Sequence, residues 1–128
     1  MKPNVNWKEY FEKRIGNGFL ATSNKEGEVD IAIYSRPHIF DDRNFYFIVN
    51  QGRTHENLRQ NPFAAYAFGQ GNFQGFRFYL RLIELLDNGP KYEEVIAESR
   101  KPSYIKDGGK NKYVAVFSLE EIRPLVGG

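Results

Sequence analysis

Residues 18–68 read GFLATSNKEGEVDIAIYSRPHIFDDRNFYFIVNQGRTHENLRQNPFAAYAF and contain three strand-like runs, then a short helix that Asn61-Pro62 closes. The helix must end there because the residue before a proline is pushed out of helical geometry. Ser35-Arg36-Pro37 follows the second run, and Arg53-Thr54 follows the third. Cationic and hydroxyl side chains therefore stand at the ends of successive strands, an arrangement that suits a phosphate-bearing cofactor.

The rest of the chain continues this alternation of short strands, tight turns and short helices. Trp7, Tyr10, Phe11 and Ile15 recur at helical spacing, and Thr54 is of a residue type that caps helices. The predicted elements are helices over 7–14, 54–60 and 90–99, strands over 19–23, 29–34, 45–50, 63–68, 76–86 and 113–117, and a polar loop over 101–112. Strands separated by tight turns predict a mainly β (α+β) domain over 1–128, in which a six-stranded antiparallel sheet closes into a small barrel.

Segments 45–50 and 69–75 differ from the other strands and turns of this pattern. The strand over 45–50 is apolar on both faces, which predicts a covered, central strand. The glycine-rich segment 69–75 is either a plain hairpin connection or a flexible lid over a site, and the sequence leaves both interpretations open.

Composition excludes several classes of function. The 128 residues carry a net charge of only +2, scattered along the chain, so a nucleic-acid partner is not expected. No apolar run approaches the roughly 18 residues of a membrane span, and the chain has no cysteine, which favours a cytoplasmic location. His38 and His55 are the only histidines, and without cysteine or paired carboxylates they predict no metal site.

The order of these motifs resembles the pyridoxamine 5'-phosphate oxidase-like family of FMN-binding split barrels, in particular its short, general-stress-protein-like members. The resemblance extends from about Phe19 to Phe117 and is spread along the chain. It rests on LATSNKEGEVDIAIYSRPHIF at 20–40, FYFIVNQGRTHENLRQNPFAAYAF at 45–68, FRFYLRLIEL at 76–85 and PKYEEVIAE at 90–98.

The resemblance implies that FMN is held at the interface of a homodimer, with both subunits contributing to each site. By position, one group of residues is implied to line the flavin ring or ribityl chain: Tyr34, Ser35, Arg36 and Pro37, with Ile48, Val49 and Asn50 from the next strand. Arg53 and Thr54 match the pair that holds the phosphate. A phosphate at a helix N-terminus meets free backbone N–H groups, which agrees with that role.

Two features depart from the family pattern. Thr54 stands where the family usually has a lysine, so one charge is lost and Arg36 is left to compensate or the affinity falls. Vitamin B6 oxidases of this family close with an Arg-x-His motif, whereas this chain ends EEIRPLVGG with no histidine after His55. The chain is therefore not expected to be a pyridoxine phosphate oxidase.

Each of these site assignments has an alternative in which the residue has no role in binding. Arg36 and Arg53 are either flavin contacts or solvated surface residues, and Tyr34 is either a core residue or a wall of the flavin site. The sequence shows no Ser-His-Asp or Cys-His motif, so we expect a cofactor to carry out any reaction.

Three functions follow from these residues. The first is an FMN-dependent oxidoreductase acting on a small organic substrate or with a nicotinamide donor. The second is a non-catalytic flavin or haem carrier or sensor, in which His38 or His55 would be the axial ligand. The third is a redox-inert dimerisation domain.

A homodimer is expected in any flavin-binding case, because a barrel this small cannot enclose a flavin alone and the 16% aromatic content implies an apolar partner surface.

Overall fold

The computed structural model describes residues 5–101 and 112–128, and these form six antiparallel strands with three short helices. The helices are α1 (Trp7–Lys13), α2 (Arg53–Gln60) and α3 (Pro90–Glu98), and the strands are β1 (Asn17–Ser23), β2 (Val29–Tyr34), β3 (Asn44–Asn50), β4 (Phe63–Gly71), β5 (Gln74–Leu86) and β6 (Lys112–Pro124). The mainly β fold is confirmed. The polar loop predicted over 101–112 lies, apart from its two end residues, outside the described residues.

Helix α1 closes one end of the core. Asn6 caps it by accepting a hydrogen bond from the Glu9 backbone N–H at 3.1 Å, and the buried face carries Trp7, Tyr10 and Phe11. These three rings pack edge-on or tilted against one another, the arrangement that aromatic quadrupoles favour. The prediction was wrong for Ile15, which lies beyond the helix end and is exposed.

The strands pair in the order β2-β1-β4-β5-β6-β3, so β2 and β3 are the two end strands of the sheet. The sheet curls until the segment after β2 reaches β3, where the His38 and Tyr46 backbones exchange two hydrogen bonds of 2.8 and 3.0 Å. Among the described residues this bridge is the only ladder contact between the two sides. The barrel is therefore split, not fully closed.

The covered strand of the prediction is β3, but it is not central. Phe45, Phe47 and Val49 point into the main core, while Tyr46 and Ile48 belong to a second cluster under α3. Alternation in a sequence reports burial on two faces and says nothing about the number of neighbouring strands. A helix, and not a further strand, supplies the second cover.

Helix α2 begins one residue before the predicted cap. Gly52 occupies the N-cap position and has no side chain to bond the free N–H groups, so the prediction that Thr54 caps the helix was wrong. The helix ends at Asn61-Pro62 as expected, and Asn57 donates a buried 3.1 Å hydrogen bond to the Thr22 hydroxyl. That bond fixes α2 against β1.

The segment 69–75 is a hairpin connection. Gly71 pairs with Gln74, which leaves a turn of two residues, Asn72 and Phe73, between β4 and β5. Both turn residues have positive φ, 53° and 60°. Strand β6 is longer than predicted because its register with β5 continues until Pro124 meets Phe76.

A tyrosine and a glycine meet tightly in the core beneath the end of β2. Gly18 on β1 pairs with Tyr34 on one side and Phe68 on the other, and the Tyr66 ring crosses over it. A methyl group at Gly18 would overlap the Tyr66 hydroxyl. Only glycine therefore fits here, for reasons of space.

We expect Gly18→Ala to lower the free energy of unfolding by about 1–3 kcal/mol, the usual cost of forcing extra atoms into a packed core. Gly52→Ala is the control, because a methyl group there would meet only the Asn50 carbonyl oxygen at 3.9 Å. The control should cost less than about 0.5 kcal/mol. Urea unfolding followed by Trp7 fluorescence measures both, and equal losses would contradict the overlap.

Candidate functional site

Two cavities flank the end strand β2, one at each end of it. The first has a volume of about 310 Å³ and is lined by Tyr34, Ser35 and Arg36 together with Ile33 and residues 14–18. We call it the Arg36 cavity. The Arg36 guanidinium also lies 3.4 Å from the Phe11 carbonyl oxygen, so its side chain is held at the C-terminal end of β2.

The position of this segment depends on Tyr66, which the sequence analysis did not single out. Its hydroxyl lies 3.3 Å from the Tyr34 carbonyl oxygen and 3.2 Å from that of Ser35. The Tyr66 side chain is fully buried, so a hydrogen bond to these carbonyls satisfies a hydroxyl that has no access to water. Alternation along β4 marks Tyr66 as a core residue, but no sequence signal shows where its hydroxyl reaches.

The second cavity lies at the start of α2 and has a volume of about 600 Å³. Gln51, Gly52 and Arg53 form one side of it, and Val29 from the start of β2 forms part of the other. We call it the Arg53 cavity. The Arg53 side chain is exposed and makes no ion pair with any residue in the described ranges.

Two carboxylates also line the Arg53 cavity, but each has a partner. Glu56 pairs with Arg59 at 3.3 Å, and Glu28 accepts a hydrogen bond of 2.8 Å from the Asn24 side chain. The Asn24 amide is neutral, so Glu28 keeps its charge at the edge of the cavity. Arg53 is the cation that lines the cavity among the described residues, and it lies beside a helix N-terminus whose N-cap residue offers no side chain. Both features favour an anionic ligand.

The other predicted site residues line neither cavity. Val49 is fully buried in the main core, Ile48 packs in the cluster under α3, and Asn50 ends β3 half-buried. Pro37 is buried beside a smaller cavity of about 110 Å³, and Thr54 is buried at the first turn of α2. The structure therefore brings Tyr34, Ser35 and Arg36 together at one cavity and places Arg53 at another, while the remaining five residues are spread around them. The contacts of all nine residues with a flavin stay a prediction.

An apolar face of the sheet joins the two cavities. Phe19 pairs with Ile33 and Ala21 with Ile31, so these side chains share the outer face of β1 and β2. Val29 and Phe63 extend it at the strand ends. Val29, Ile31 and Phe63 are 80%, 67% and 62% exposed. Val29 lines the Arg53 cavity and Ile33 lines the Arg36 cavity.

Both histidines are buried. The His38 Nδ1–H donates to a Glu98 carboxylate oxygen at 2.7 Å, and burial, opposed by Glu98, sets the pKa of His38 below the ordinary histidine value. His55 stacks on Tyr113 with ring centroids 3.9 Å apart, and burial likewise lowers the pKa of His55. Within residues 5–101 and 112–128, no group of three or more potential ligands could hold a metal ion.

Comparison with known proteins identifies the fold through solved structures. No protein-family model matches the sequence, and no curated protein matches it. Solved structures do match. An FMN-binding protein from Syntrophomonas wolfei subsp. wolfei superposes with a TM-score of 0.72 at 20% identity, over 91% of this chain and 81% of that one. HupZ from Group A Streptococcus gives 0.70 at 22% identity, over 92% and 91%.

A pyridoxamine 5'-phosphate oxidase-related, FMN binding protein from Nostoc punctiforme also matches, with a TM-score of 0.61 at 14% identity over 83% of this chain and 71% of that one. At such identities the similarity establishes the fold. The chain has the split-barrel fold of FMN-binding and pyridoxamine 5'-phosphate oxidase-related proteins, and the resemblance inferred from the sequence is confirmed at this level. No helix among the described residues is long and apolar enough to cross a bilayer.

Both histidines should titrate below pH 6.5 in proton NMR spectra. A histidine whose pKa is lower in the folded state binds its proton more readily after unfolding. The free energy of unfolding should therefore fall as the pH is lowered from about 7.5 to about 5.5, and His38→Gln and His55→Gln should each reduce that dependence. Titration of either ring at or above the free-histidine value would contradict this assignment.

Proposed function

We propose that the chain is an FMN-dependent oxidoreductase in which the Arg53 cavity holds the flavin phosphate. The observation that carries the proposal is the Arg53 guanidinium, which has no ion-pair partner among the described residues, beside the N-terminus of α2 that no side chain caps, in a fold shared with FMN-binding proteins. FMN carries a phosphate with nearly two negative charges at neutral pH, which the Arg53 guanidinium and the first N–H groups of α2 match.

The first residues of α2 supply the donors for that phosphate. The helix begins at Arg53, so its first backbone N–H groups have no acceptor within the helix, and Gly52 leaves room for a ligand to approach them. Arg53 adds a charge-assisted contact. Thr54 is buried, so we propose that its backbone N–H donates to the phosphate and that its hydroxyl is a second donor.

The remaining flavin contacts are assigned to the other end of β2 and to β3. Tyr34, Ser35 and Arg36 line the Arg36 cavity, where Tyr66 holds their backbone, and they are proposed to contact the isoalloxazine ring or the ribityl chain. Pro37, Ile48, Val49 and Asn50 complete the set. Because the Val49 side chain is fully buried, its contribution would come from the backbone.

A second copy of the chain is proposed to cover the apolar face between the two cavities. Monomeric proteins rarely expose a contiguous apolar patch of this kind, and the face is bordered by both groups of proposed flavin residues. A twofold-related copy would bury Ile31 and Phe63 and would wall both cavities at once. The flavin would then lie at the dimer interface.

A bound flavin supplies hydride or single-electron transfer itself, and the protein residues bind and orient it. A small organic molecule is the proposed substrate, with a nicotinamide cofactor as the electron donor. No described residue is assigned as a catalytic acid or base. The direct test is the absorption spectrum of the purified protein, which should show flavin bands that bleach when NADH or NADPH is added.

The same spectrum separates the alternatives. Flavin bands that no nicotinamide reduces would indicate a non-catalytic carrier or sensor, and a colourless protein that ignores added FMN would contradict the proposal. A Soret band after haem titration would support haem binding. Haem is the less favoured ligand because both histidine side chains are buried, with only 4% of His38 and 7% of His55 exposed.

Arg53→Ala should weaken FMN binding by about ten- to a hundredfold, the equivalent of about 1.5–3 kcal/mol, because one charge-assisted contact to the phosphate is lost. Riboflavin lacks the phosphate, so its affinity should barely change. The effect on FMN should shrink as salt rises. Fluorescence titration measures both ligands.

Arg43→Ala is the matched control for this prediction. Arg43 is exposed just before β3 and lines neither the Arg53 cavity nor the Arg36 cavity. Its removal changes the net charge equally but should leave FMN affinity within about twofold. Equal losses of FMN and riboflavin in Arg53→Ala would place Arg53 on the ring or in the scaffold.

Ile31→Glu should convert the proposed dimer into a monomer, because it puts a charge at the centre of the apolar face. Sedimentation should show about twice the 14.9 kDa chain mass for the unchanged protein and the single-chain mass for the variant, with a parallel loss of FMN affinity. Ile83→Glu, on β5 and outside the strands of this face, should remain dimeric. A monomeric parent protein that binds FMN tightly would refute the interface.

A further inference from the structure

A third cavity lies between the C-terminal half of α1, the β4–β5 turn and residues 124–126, and it is not used by the proposed function. It has a volume of about 500 Å³, within the range of small-molecule sites. We call it the hairpin groove, and the residues that the argument uses are Tyr10, Arg14, Gln70, Phe73, Phe76 and Val126. It shares Arg14 with the Arg36 cavity and no residue with the Arg53 cavity.

The groove has aromatic and aliphatic walls. Tyr10 and Phe76 pack edge-on at 5.5 Å between ring centroids, and both rest on the buried Trp7 ring. Phe73 and Val126 stand on the rim and are largely exposed. Such walls favour a ligand with an apolar, flat body.

Two hydrogen-bond donors converge on these walls. The Arg14 guanidinium lies over the Tyr10 ring at 4.7 Å and makes no ion pair within the described part of the chain. The Tyr10 hydroxyl oxygen accepts a 2.7 Å hydrogen bond from Gln70, which leaves its own proton free to donate. Burial raises the pKa of Tyr10, so that proton is retained at neutral pH. Among the residues that the structure describes, no carboxylate lines the groove to compete for these donors.

The rim is built at an energetic cost. Phe73 has φ of 60° in the two-residue turn, a conformation that costs a bulky L-residue about 1 kcal/mol or more, and its ring is 84% exposed. Asn-Gly would form the same turn without strain. An exposed aromatic ring in a strained position is best explained by a contact that the ring makes with a ligand.

We infer that the hairpin groove binds a small aromatic carboxylate, with its ring between Phe73, Phe76 and Val126 and its carboxylate on Arg14 and the Tyr10 hydroxyl. Arg14 matches a carboxylate in charge and in its fork geometry. The apolar walls match the ring. The site stands apart from the proposed flavin phosphate site and does not depend on it.

The probe is 4-phenylbutyrate, with 4-phenylbutanol as its uncharged analogue. Both are titrated into the purified protein and followed by two-dimensional NMR. Trp7 is the only tryptophan, and its ring lies 5.3 and 5.4 Å from those of Tyr10 and Phe76, so its indole N–H signal reports on the groove. We expect saturable shifts of the Trp7 indole and of the Phe73 and Gln74 amides, with the acid binding about tenfold more tightly than the alcohol.

Two variants test the assigned roles. Arg14→Gln should remove the tenfold preference for the acid and leave the alcohol unchanged, whereas Arg43→Gln, an exposed arginine outside the groove, should change neither. Phe73→Gly should raise the unfolding temperature by relieving the turn and should weaken the acid about fivefold. A rise in stability together with a loss of binding separates a binding role from a structural one.

Several results would overturn the inference. These are no saturable binding up to about 10 mM, shifts confined to other surfaces, or equal binding of acid and alcohol that Arg14→Gln does not alter. The titration is repeated with FMN. Displacement of the acid by FMN would assign the groove to the flavin site and refute a separate one, whereas acid binding by a protein that never takes up FMN would refute the proposed function alone.

Discussion

The close approach of the Tyr66 ring to Gly18 determines where the candidate site lies. The ring crosses over the glycine because no side chain opposes it, and the hydroxyl thereby reaches the backbone carbonyls of Tyr34 and Ser35. The end strand β2 has a sheet neighbour on one side only, so this contact anchors its C-terminal end from within the core. Arg36 is the next residue after Ser35, so the same contact fixes where its backbone lies.

The other end of β2 is fixed differently, through α2. The buried hydrogen bond from Asn57 to Thr22 holds the helix against β1, and the N-terminus of the helix then opens beside Val29. One short strand is therefore anchored by a tyrosine at one end and by a helix at the other. Its outer face is left apolar and exposed between two cavities that each contain an arginine, which is why binding of a cofactor and pairing of two chains are expected to be coupled.

Local signals in the sequence predicted most of the fold, because strand periodicity, turn residues and the Asn61-Pro62 helix stop act over a few positions. These signals failed where a segment distant in the sequence determines the packing of a residue or the start of an element. Alternation in 45–50 showed burial on two faces but could not show that α3 provides one cover. Thr54 has cap chemistry, yet the chain turns two residues earlier. Tyr66 was recognisable as core, while its contact with residues more than 30 positions earlier depends on the register of two strand pairs.

The sheet order has a consequence for biosynthesis. Apart from the bridge between Tyr46 and His38, strand β3 pairs only with β6 among the described residues, and its residue Asn44 is opposite Ser118, 74 positions later. During synthesis, the segment Phe45-Tyr46-Phe47-Ile48-Val49 therefore lacks its ladder partner until residues 112–118 have been made. It carries no charge and no proline, the composition that promotes intermolecular strand pairing. Until β6 has been made, this segment is the part of the chain at which two partly synthesised copies would pair with each other.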